Sequence, residues 1–129
     1  MDKFRVLVVD DELDFLETIV KRLQTRKIAV TGVDSGVKAL SIIDDKDFDV
    51  VILDVKMPGL DGIETLREIK KKKPLLEVIM LTGHASVESG IQGMQLGAFD
   101  YVMKPVALDE LLEKMRQAYE RKLISEGKA

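Results

Sequence analysis

The sequence predicts an α/β domain with a doubly wound, five-stranded parallel sheet and helices on both faces. Five short runs rich in β-branched and apolar residues are separated by segments whose apolar residues recur at helical spacing. Strand and helix alternate five times at intervals of about 25 residues, which is typical of right-handed β-α-β units. The 129 residues fit one domain, and no linker divides them. We therefore expect a single domain over residues 1–125 and a polar tail over residues 126–129.

The strands are predicted from their composition and from the residues that bound them. The third strand is an unbroken apolar run that Pro58-Gly59 cannot continue, so it should be buried on both faces and end near Asp54. The five predicted strands are Phe4 to Val9, Ile28 to Val33, Asp49 to Leu53, Glu77 to Leu81 and Phe99 to Met103.

The helices are predicted from apolar faces and from their first residues. Ser35 is a plausible N-cap of the second helix, and Asp61 with Glu64 has the spacing of a capping box before the third. Asp109 and Glu110 lie in the first turn of the last helix, where the helix dipole favours acids. The apolar faces contain Leu13, Leu16, Ile19, Val20 and Leu23 in the first helix, Val37, Leu40 and Ile43 in the second, Ile63, Leu66 and Ile69 in the third, and Leu108, Leu111, Leu112, Met115, Tyr119 and Leu123 in the last.

The fourth helix, predicted over Ala85 to Ala98, should be the least stable. Gly90 and Gly93 lie within it, and each costs about 1 kcal/mol relative to Ala. Replacing either glycine by Ala should stiffen the helix, unless that glycine has a positive φ or is closely packed.

Composition argues against several functional classes. Twenty basic and 23 acidic residues give a net charge of −3, which disfavours binding to nucleic-acid phosphates. The lysine run Lys70 to Lys73 is interpreted as a solvated helix end. There is no cysteine, and neither a signal peptide nor the ~20 apolar residues of a membrane span is found. We expect a cytoplasmic domain that contacts neither nucleic acid nor membrane.

Acidic residues end two of the predicted strands. Asp10 and Asp11 follow the first strand, and Asp54 follows the third. A doubly wound sheet with these strands side by side brings the three carboxylates to one crevice at the strands' carboxyl ends, where ligands bind. Such carboxylates repel one another, so a fold that keeps them together usually holds a cation that offsets their charge. Because all the ligands are oxygens, Mg²⁺ is the cation that fits best. A turn-capping Asp54 and an acidic helix start at Asp10-Asp11-Glu12 are the simpler interpretations.

Two further polar residues end the remaining strands. Thr82 follows the fourth strand, and Lys104 follows the fifth, directly before a proline. A phosphoryl group on a carboxylate needs a metal, an ammonium and a hydroxyl donor around its oxygens. Taken singly, a Thr or Lys at a strand end is usually only part of a solvated edge. Taken together, the strand ends predict a phosphoryl-binding site.

Four stretches resemble the motifs of response-regulator receiver domains, the CheY-like family of two-component signalling: VVDDE, DVVILDVKMPGLDGIE, MLTGHAS and GAFDYVMKP. The resemblance covers nearly the whole chain and implies a flavodoxin-like (βα)5 fold with strand order 2-1-3-4-5. It implies that Asp54 accepts a phosphoryl group from a sensor histidine kinase or a histidine phosphotransfer protein. Such a domain is not an enzyme and only assists its own phosphorylation and dephosphorylation.

The resemblance also implies a role for each site residue. Mg²⁺ would be bound by Asp10, Asp11 (more directly), Asp54 and the main-chain carbonyl of Lys56. Thr82 and Lys104 would bind the phosphoryl group, Tyr101 would change rotamer with Thr82, and Pro105 would follow Lys104 in a cis bond. We further predict that the Lys56 and His84 side chains tune the lifetime of the acyl phosphate. For Tyr101 a half-buried core position remains open, and for His84 a solvated loop position.

The output surface is predicted to lie on the fourth helix, fifth strand and fifth helix. This face would contact an output domain or partner protein, and phosphorylation could produce a homodimer through it. LTGHAS and GAFDYVMKP resemble receivers of nitrogen-regulation-type transcriptional activators, but also single-domain and hybrid-kinase receivers.

Two other functions remain as alternatives. An aspartyl-phosphate phosphatase of the haloacid-dehalogenase type would need a second acid two residues beyond Asp54, where Lys56 stands. A flavodoxin-like cofactor carrier would need a phosphate-binding loop rich in Ser, Thr and Gly after the first strand, where three acids stand.

Overall fold

The computed structural model describes residues 4–56, 61–83 and 87–127, without the side chains of 87–89. Strands and helices alternate along the chain, as the apolar pattern predicts. The elements are β1 (Arg5–Val9), α1 (Leu13–Thr25), β2 (Ala29–Val33), α2 (Gly36–Asp45), β3 (Val50–Asp54), α3 (Gly62–Lys72), β4 (Glu77–Thr82), α4 (Val87–Gln95), β5 (Asp100–Met103) and α5 (Leu108–Ser125).

The five strands form one parallel sheet in the order β2-β1-β3-β4-β5. This confirms the predicted fold and places β1 beside β3. Strands β1, β2, β3 and β5 each begin one residue later than predicted. The predicted last residues of β3 and β4 are wrong by one, since these strands extend to Asp54 and Thr82. The reason is that the ladder continues across neighbours, with Asp54 in register with Leu81 and Thr82 with Met103.

The core consists of two apolar layers, one on each face of the sheet. Every residue of β3 and β4 is buried, because alternate side chains point into opposite layers. One layer joins the sheet to α2 and α3, and the other joins it to α1 and α5. Leu13 is an exception to the predicted apolar face of α1: it is the first residue of that helix and is 62% exposed.

Two predicted helix caps are confirmed. Ser35 Oγ accepts a hydrogen bond from the Lys38 N–H at 3.2 Å, and Asp61 Oδ1 accepts one from the Glu64 N–H at 2.9 Å. The carboxylate of Glu64 pairs with Arg67. Local side-chain bonds therefore define where α2 and α3 begin.

The interpretation of the lysine run as a solvated helix end is wrong for Lys70. Its Nζ donates to the carbonyls of Pro74 and Leu76 at 2.9 and 3.1 Å and lies 3.8 Å from Glu77. Burial lowers the pKa of Lys70. The side chain folds back because two carbonyls of the α3–β4 turn and the carboxylate of Glu77, at the start of β4, surround it. Lys71 and Lys72 stay exposed.

Helix α4 ends earlier than predicted, at Gln95 rather than Ala98. Gly97 has a φ of +102°, its N–H donates to the Met94 carbonyl, and the Ala98 N–H donates to the Gly93 carbonyl. These bonds form a Schellman motif, which ends a helix at a left-handed glycine. The predicted start of this helix, 85 and 86, lies outside the described residues.

No helix in the described ranges combines the length and the apolarity that crossing a membrane requires.

Candidate functional site

Three carboxylates meet at the carboxyl edge of the sheet. Asp10, directly after β1, and Asp54, at the end of β3, are 0% and 4% exposed. An oxygen of each and one of Glu12 lie within 4.8 Å of one another. The predicted pair Asp10 and Asp54 is therefore brought together. Asp11 is only half-buried and does not join this group, although its charge contributes to raising the pKa of Asp54.

Each buried aspartate uses one oxygen to turn the chain. Asp10 Oδ1 accepts a hydrogen bond from the Glu12 N–H at 2.9 Å, and Asp54 Oδ1 accepts one from the Lys56 N–H at 3.1 Å. The turn-capping interpretation is thus correct for one oxygen of Asp54, and one oxygen of Asp10 makes a bond of the same kind. The second oxygens face Lys104, whose Nζ lies 2.8 Å from Asp10 Oδ2 and 3.8 Å from Asp54 Oδ2.

The site has more negative charge than its described cation offsets. Burial, followed by the charge of Asp10, raises the pKa of Asp54 to about 7, although the Lys56 N–H and Lys104 act in the opposite direction. Asp10 Oδ2 is buried and accepts no well-directed hydrogen bond from the described part of the chain. A buried carboxylate oxygen that lacks a well-directed hydrogen bond costs free energy unless a cation compensates its charge.

The ammonium of Lys104 is held on several sides. Burial alone would lower the pKa of Lys104, but its bonds to Asp10 and Glu12 raise it overall. Its Nζ lies 2.6 Å from Glu12 Oε1 and 4.5 Å from the centroid of the Phe15 ring. Sequence reasoning placed Glu12 only in an acidic helix start and assigned no role to Phe15. Their positions one and four residues beyond Asp11, where the chain turns into α1, were the available signal.

Thr82 is 2% exposed at the end of β4. Its hydroxyl donates to the Met103 Sδ at 3.2 Å, so it is directed toward β5. Tyr101 and Met103 are each 44% exposed on the outer face of β5, whereas Val102 between them is buried. The open alternative that Tyr101 is a core residue is therefore wrong, because alternation along the edge strand turns it outward.

Two of the remaining predicted residues, Lys56 and Pro105, lie in the described part of the chain. The Lys104–Pro105 peptide bond is cis, as predicted. Lys56 is exposed directly after Asp54 and Val55. His84, Pro58 and Gly59 lie outside the described residues.

Gly62, at the start of α3, is a site residue that sequence reasoning missed. A Cβ built on Gly62 would lie 2.2 Å from the main-chain oxygen of Asp54 and 2.4 Å from the Cα of Val55. The Gly62 N–H donates to the Val55 carbonyl at 3.2 Å. Helix α3 therefore begins in direct contact with the backbone that holds Asp54, and only glycine fits there.

Comparisons with known proteins agree with this arrangement. Residues 6–116 match the family described as the response regulator receiver domain. The chain is 39% identical over 123 residues to the response regulator MprA of Mycobacterium sp. (strain KMS), covering 95% of this chain and 54% of that protein. It is 33% identical over 118 residues to the DNA-binding transcriptional regulator NtrC of Escherichia coli (strain K12), covering 92% of this chain and 25% of that protein.

A solved structure with the same fold is a response regulator receiver domain protein from Clostridium thermocellum. It has a TM-score of 0.90 and 39% sequence identity and covers 94% of this chain and 98% of that one. The chain spans about half the length of MprA and a quarter of NtrC. The family match over residues 6–116 and the 39% identity to MprA show that the chain belongs to the family of response regulator receiver domains.

Proposed function

We propose that the chain is a phosphorylation-activated switch in which Asp54 accepts a phosphoryl group from a phosphohistidine donor. The observation that carries this proposal is the position of Asp54: it is buried at the end of β3, with a carboxylate oxygen of Asp10 within 4.8 Å and Lys104 Nζ 3.8 Å from its Oδ2. In the transfer, an oxygen of Asp54 attacks phosphorus in line, the phosphorus–nitrogen bond breaks, and the imidazole leaves as a proton reaches its nitrogen. The donor would be a sensor histidine kinase or a histidine phosphotransfer protein.

The donor atoms at this edge fit Mg²⁺. The described acidic group offers only oxygen ligands. One buried oxygen of Asp10 lacks a well-directed hydrogen bond from the described residues, and burial, followed by the charge of Asp10, raises the pKa of Asp54. We assign the metal to Asp10, Asp11, Asp54 and the Lys56 carbonyl. When bound, Mg²⁺ supplies positive charge to the carboxylates and to a phosphoryl oxygen.

Thr82 and Lys104 are the proposed ligands of the other phosphoryl oxygens. In this structure the Thr82 hydroxyl donates to the Met103 sulfur, and the Lys104 ammonium forms ion pairs with Asp10 and Glu12. Phosphorylation of Asp54 offers both groups a stronger acceptor. Rotation of the Thr82 hydroxyl away from β5 would then allow Tyr101 to turn inward.

The face formed by α4, β5 and α5 is the proposed output surface. It exposes apolar side chains of Ile91, Met94, Tyr101 and Met103, each at least 42% exposed. Such a patch is suited to an output domain, a partner protein or a second copy of the phosphorylated chain. The switching unit would comprise residues 1–125, since α5 ends at Ser125. Changed hydrogen exchange of the α4 amides on addition of a beryllofluoride mimic would support this surface, and a response confined to another helix would contradict it.

Lys56 and His84 are proposed to tune the stability of the acyl phosphate. Lys56 is exposed beside Asp54, so its side chain can shield the phosphoryl group or steer water. Truncating either side chain to Ala should change the dephosphorylation rate and leave Mg²⁺ affinity nearly unchanged. Equal lifetimes for the wild type and both variants would contradict this role.

The central experiment is labelling by a small phosphodonor. The protein is incubated with phosphoramidate or acetyl phosphate, with Mg²⁺ or with a chelator, and its intact mass is measured. We expect one phosphoryl group, only with Mg²⁺, and none on Asp54→Ala. The matched control Asp45→Ala removes an exposed acid on α2 and should be labelled normally. Labelling that survives Asp54→Ala or chelation would refute the proposed function.

A further inference from the structure

Glu12 contacts the proposed phosphoryl ligand Lys104, yet the proposed function gives it no role. Glu12 Oε1 lies 2.6 Å from Lys104 Nζ, closer than the oxygens of Asp10 or Asp54. Glu12 is the N-cap residue of α1, but its side chain makes no cap bond within the described structure. Its carboxylate is instead bound by a residue 92 positions away in the chain.

We infer that Glu12 is a positioning residue that holds the Lys104 ammonium away from Asp54 until a phosphoryl group displaces it. This inference rests on the proposed function. An ammonium has three N–H donors: one bonds to Glu12, and the ammonium also forms an ion pair with Asp10 Oδ2 at 2.8 Å. The 3.8 Å separation from Asp54 Oδ2 exceeds hydrogen-bond length. To bind a phosphoryl group on Asp54, Lys104 must shift toward it and weaken its bond to Glu12.

The two carboxylates hold Lys104 with different strength. Asp10 is fully buried, so its attraction to Lys104 is little screened by solvent. The Glu12 side chain is 64% exposed, and exposed ion pairs are weak and sensitive to salt. Glu12 is therefore the partner that Lys104 can release at low cost. It should slow phosphorylation without preventing it.

The test compares Glu12→Gln with Glu17→Gln. Glu17 is an exposed residue of α1 that pairs with Lys21 at 3.0 Å, so its substitution removes the same charge close by in the chain. Rates of labelling by phosphoramidate are measured at saturating Mg²⁺ by intact mass. We expect Glu12→Gln to be labelled about two- to fivefold faster than the wild type at low ionic strength, with the difference shrinking in concentrated KCl. Glu17→Gln should match the wild type.

Two further measurements distinguish action through Lys104 from metal binding by Glu12 and from a general effect of its charge. If Glu12 acts through Lys104, Glu12→Gln should have no effect on the rate in a Lys104→Gln background. The Mg²⁺ affinity of the single variant Glu12→Gln, measured by calorimetry, should equal or exceed that of the wild type. Reduced Mg²⁺ affinity would make Glu12 a metal ligand and overturn the inference. An acceleration that persists without Lys104, or equal rates for Glu12→Gln and Glu17→Gln, would also overturn it.

Failure of the inference and failure of the proposed function are distinguishable. If the wild type is not labelled at Asp54 at all, the proposed function fails and the role of Glu12 fails with it. If the wild type is labelled normally and Glu12→Gln behaves like its control, only the role of Glu12 is refuted.

Discussion

Helix α4 contains two glycines at which the same substitution should change stability in opposite directions. A Cβ built on Gly90 has no heavy atom of the described residues within 4 Å. A Cβ built on Gly93 would lie 2.0 Å from Met80 Sδ and 2.4 Å from its Cε. Met80 is fully buried in the layer between the sheet and α3. Its thioether is flexible, but any movement must be absorbed by a closely packed core.

The magnitudes follow from two effects. Replacing Gly by Ala within a helix contributes about 1 kcal/mol at either position. This gain is common to both variants and cancels when they are compared. What remains is the cost of overpacking against Met80, about 1–3 kcal/mol. Gly90→Ala should therefore raise the free energy of unfolding by up to about 1 kcal/mol, and Gly93→Ala should lower it by up to about 2 kcal/mol.

Urea unfolding of the two variants and the wild type measures these differences. A double-mutant cycle with Met80→Val identifies the cause, since valine lacks the sulfur and the terminal methyl group. Gly93→Ala should be less destabilising in that background than in the wild type, by about 1 kcal/mol or more. Overpacking against Met80 would be refuted if Gly93→Ala stabilised the protein as much as Gly90→Ala, or if its effect were the same with Val at position 80.

Three further predictions concern the site. Gly62→Ala should destabilise the protein by about 1–3 kcal/mol and slow labelling of Asp54, because its Cβ would displace the Asp54 backbone; unfolding and labelling rates equal to wild type would contradict this. In metal-free buffer the raised pKa of Asp54, about 7, means that the folded state binds the extra proton, so the free energy of unfolding should fall as pH rises from about 4 to 7. Asp54→Asn has no carboxylate to ionise, so its free energy of unfolding should not fall for this reason over the same pH range. Above pH 7 it should be more stable than the wild type, by at most about 4 kcal/mol. Equal urea midpoints at pH 8 would rule this out. Met103→Leu removes the acceptor of the Thr82 hydroxyl. The labelling rate of Asp54 should then increase about two- to fivefold, which is the effect of losing one weak hydrogen bond. An unchanged rate would mean that this bond does not restrain Thr82.

The sequence by itself determined the alternation of strands and helices, the two-sided burial of β3, and the acids at the ends of β1 and β3. It also predicted the caps at Ser35 and Asp61, which the structure confirms. These features depend on residues within a few positions of one another. Apolar spacing, turn residues and side chains that bond to the nearby backbone are visible in a short stretch of sequence.

Only the tertiary structure decided which partners these residues have across the chain. It placed Glu12 on Lys104, Gly62 against the backbone of Asp54, and Gly93 against Met80. It also showed that Lys70 is bonded to the α3–β4 turn and that Tyr101 faces outward. Each of these outcomes depends on distances of a few ångströms set by how helices and strands pack. Residue type limits what a side chain can bind, but packing determines which of several chemically acceptable partners is within reach.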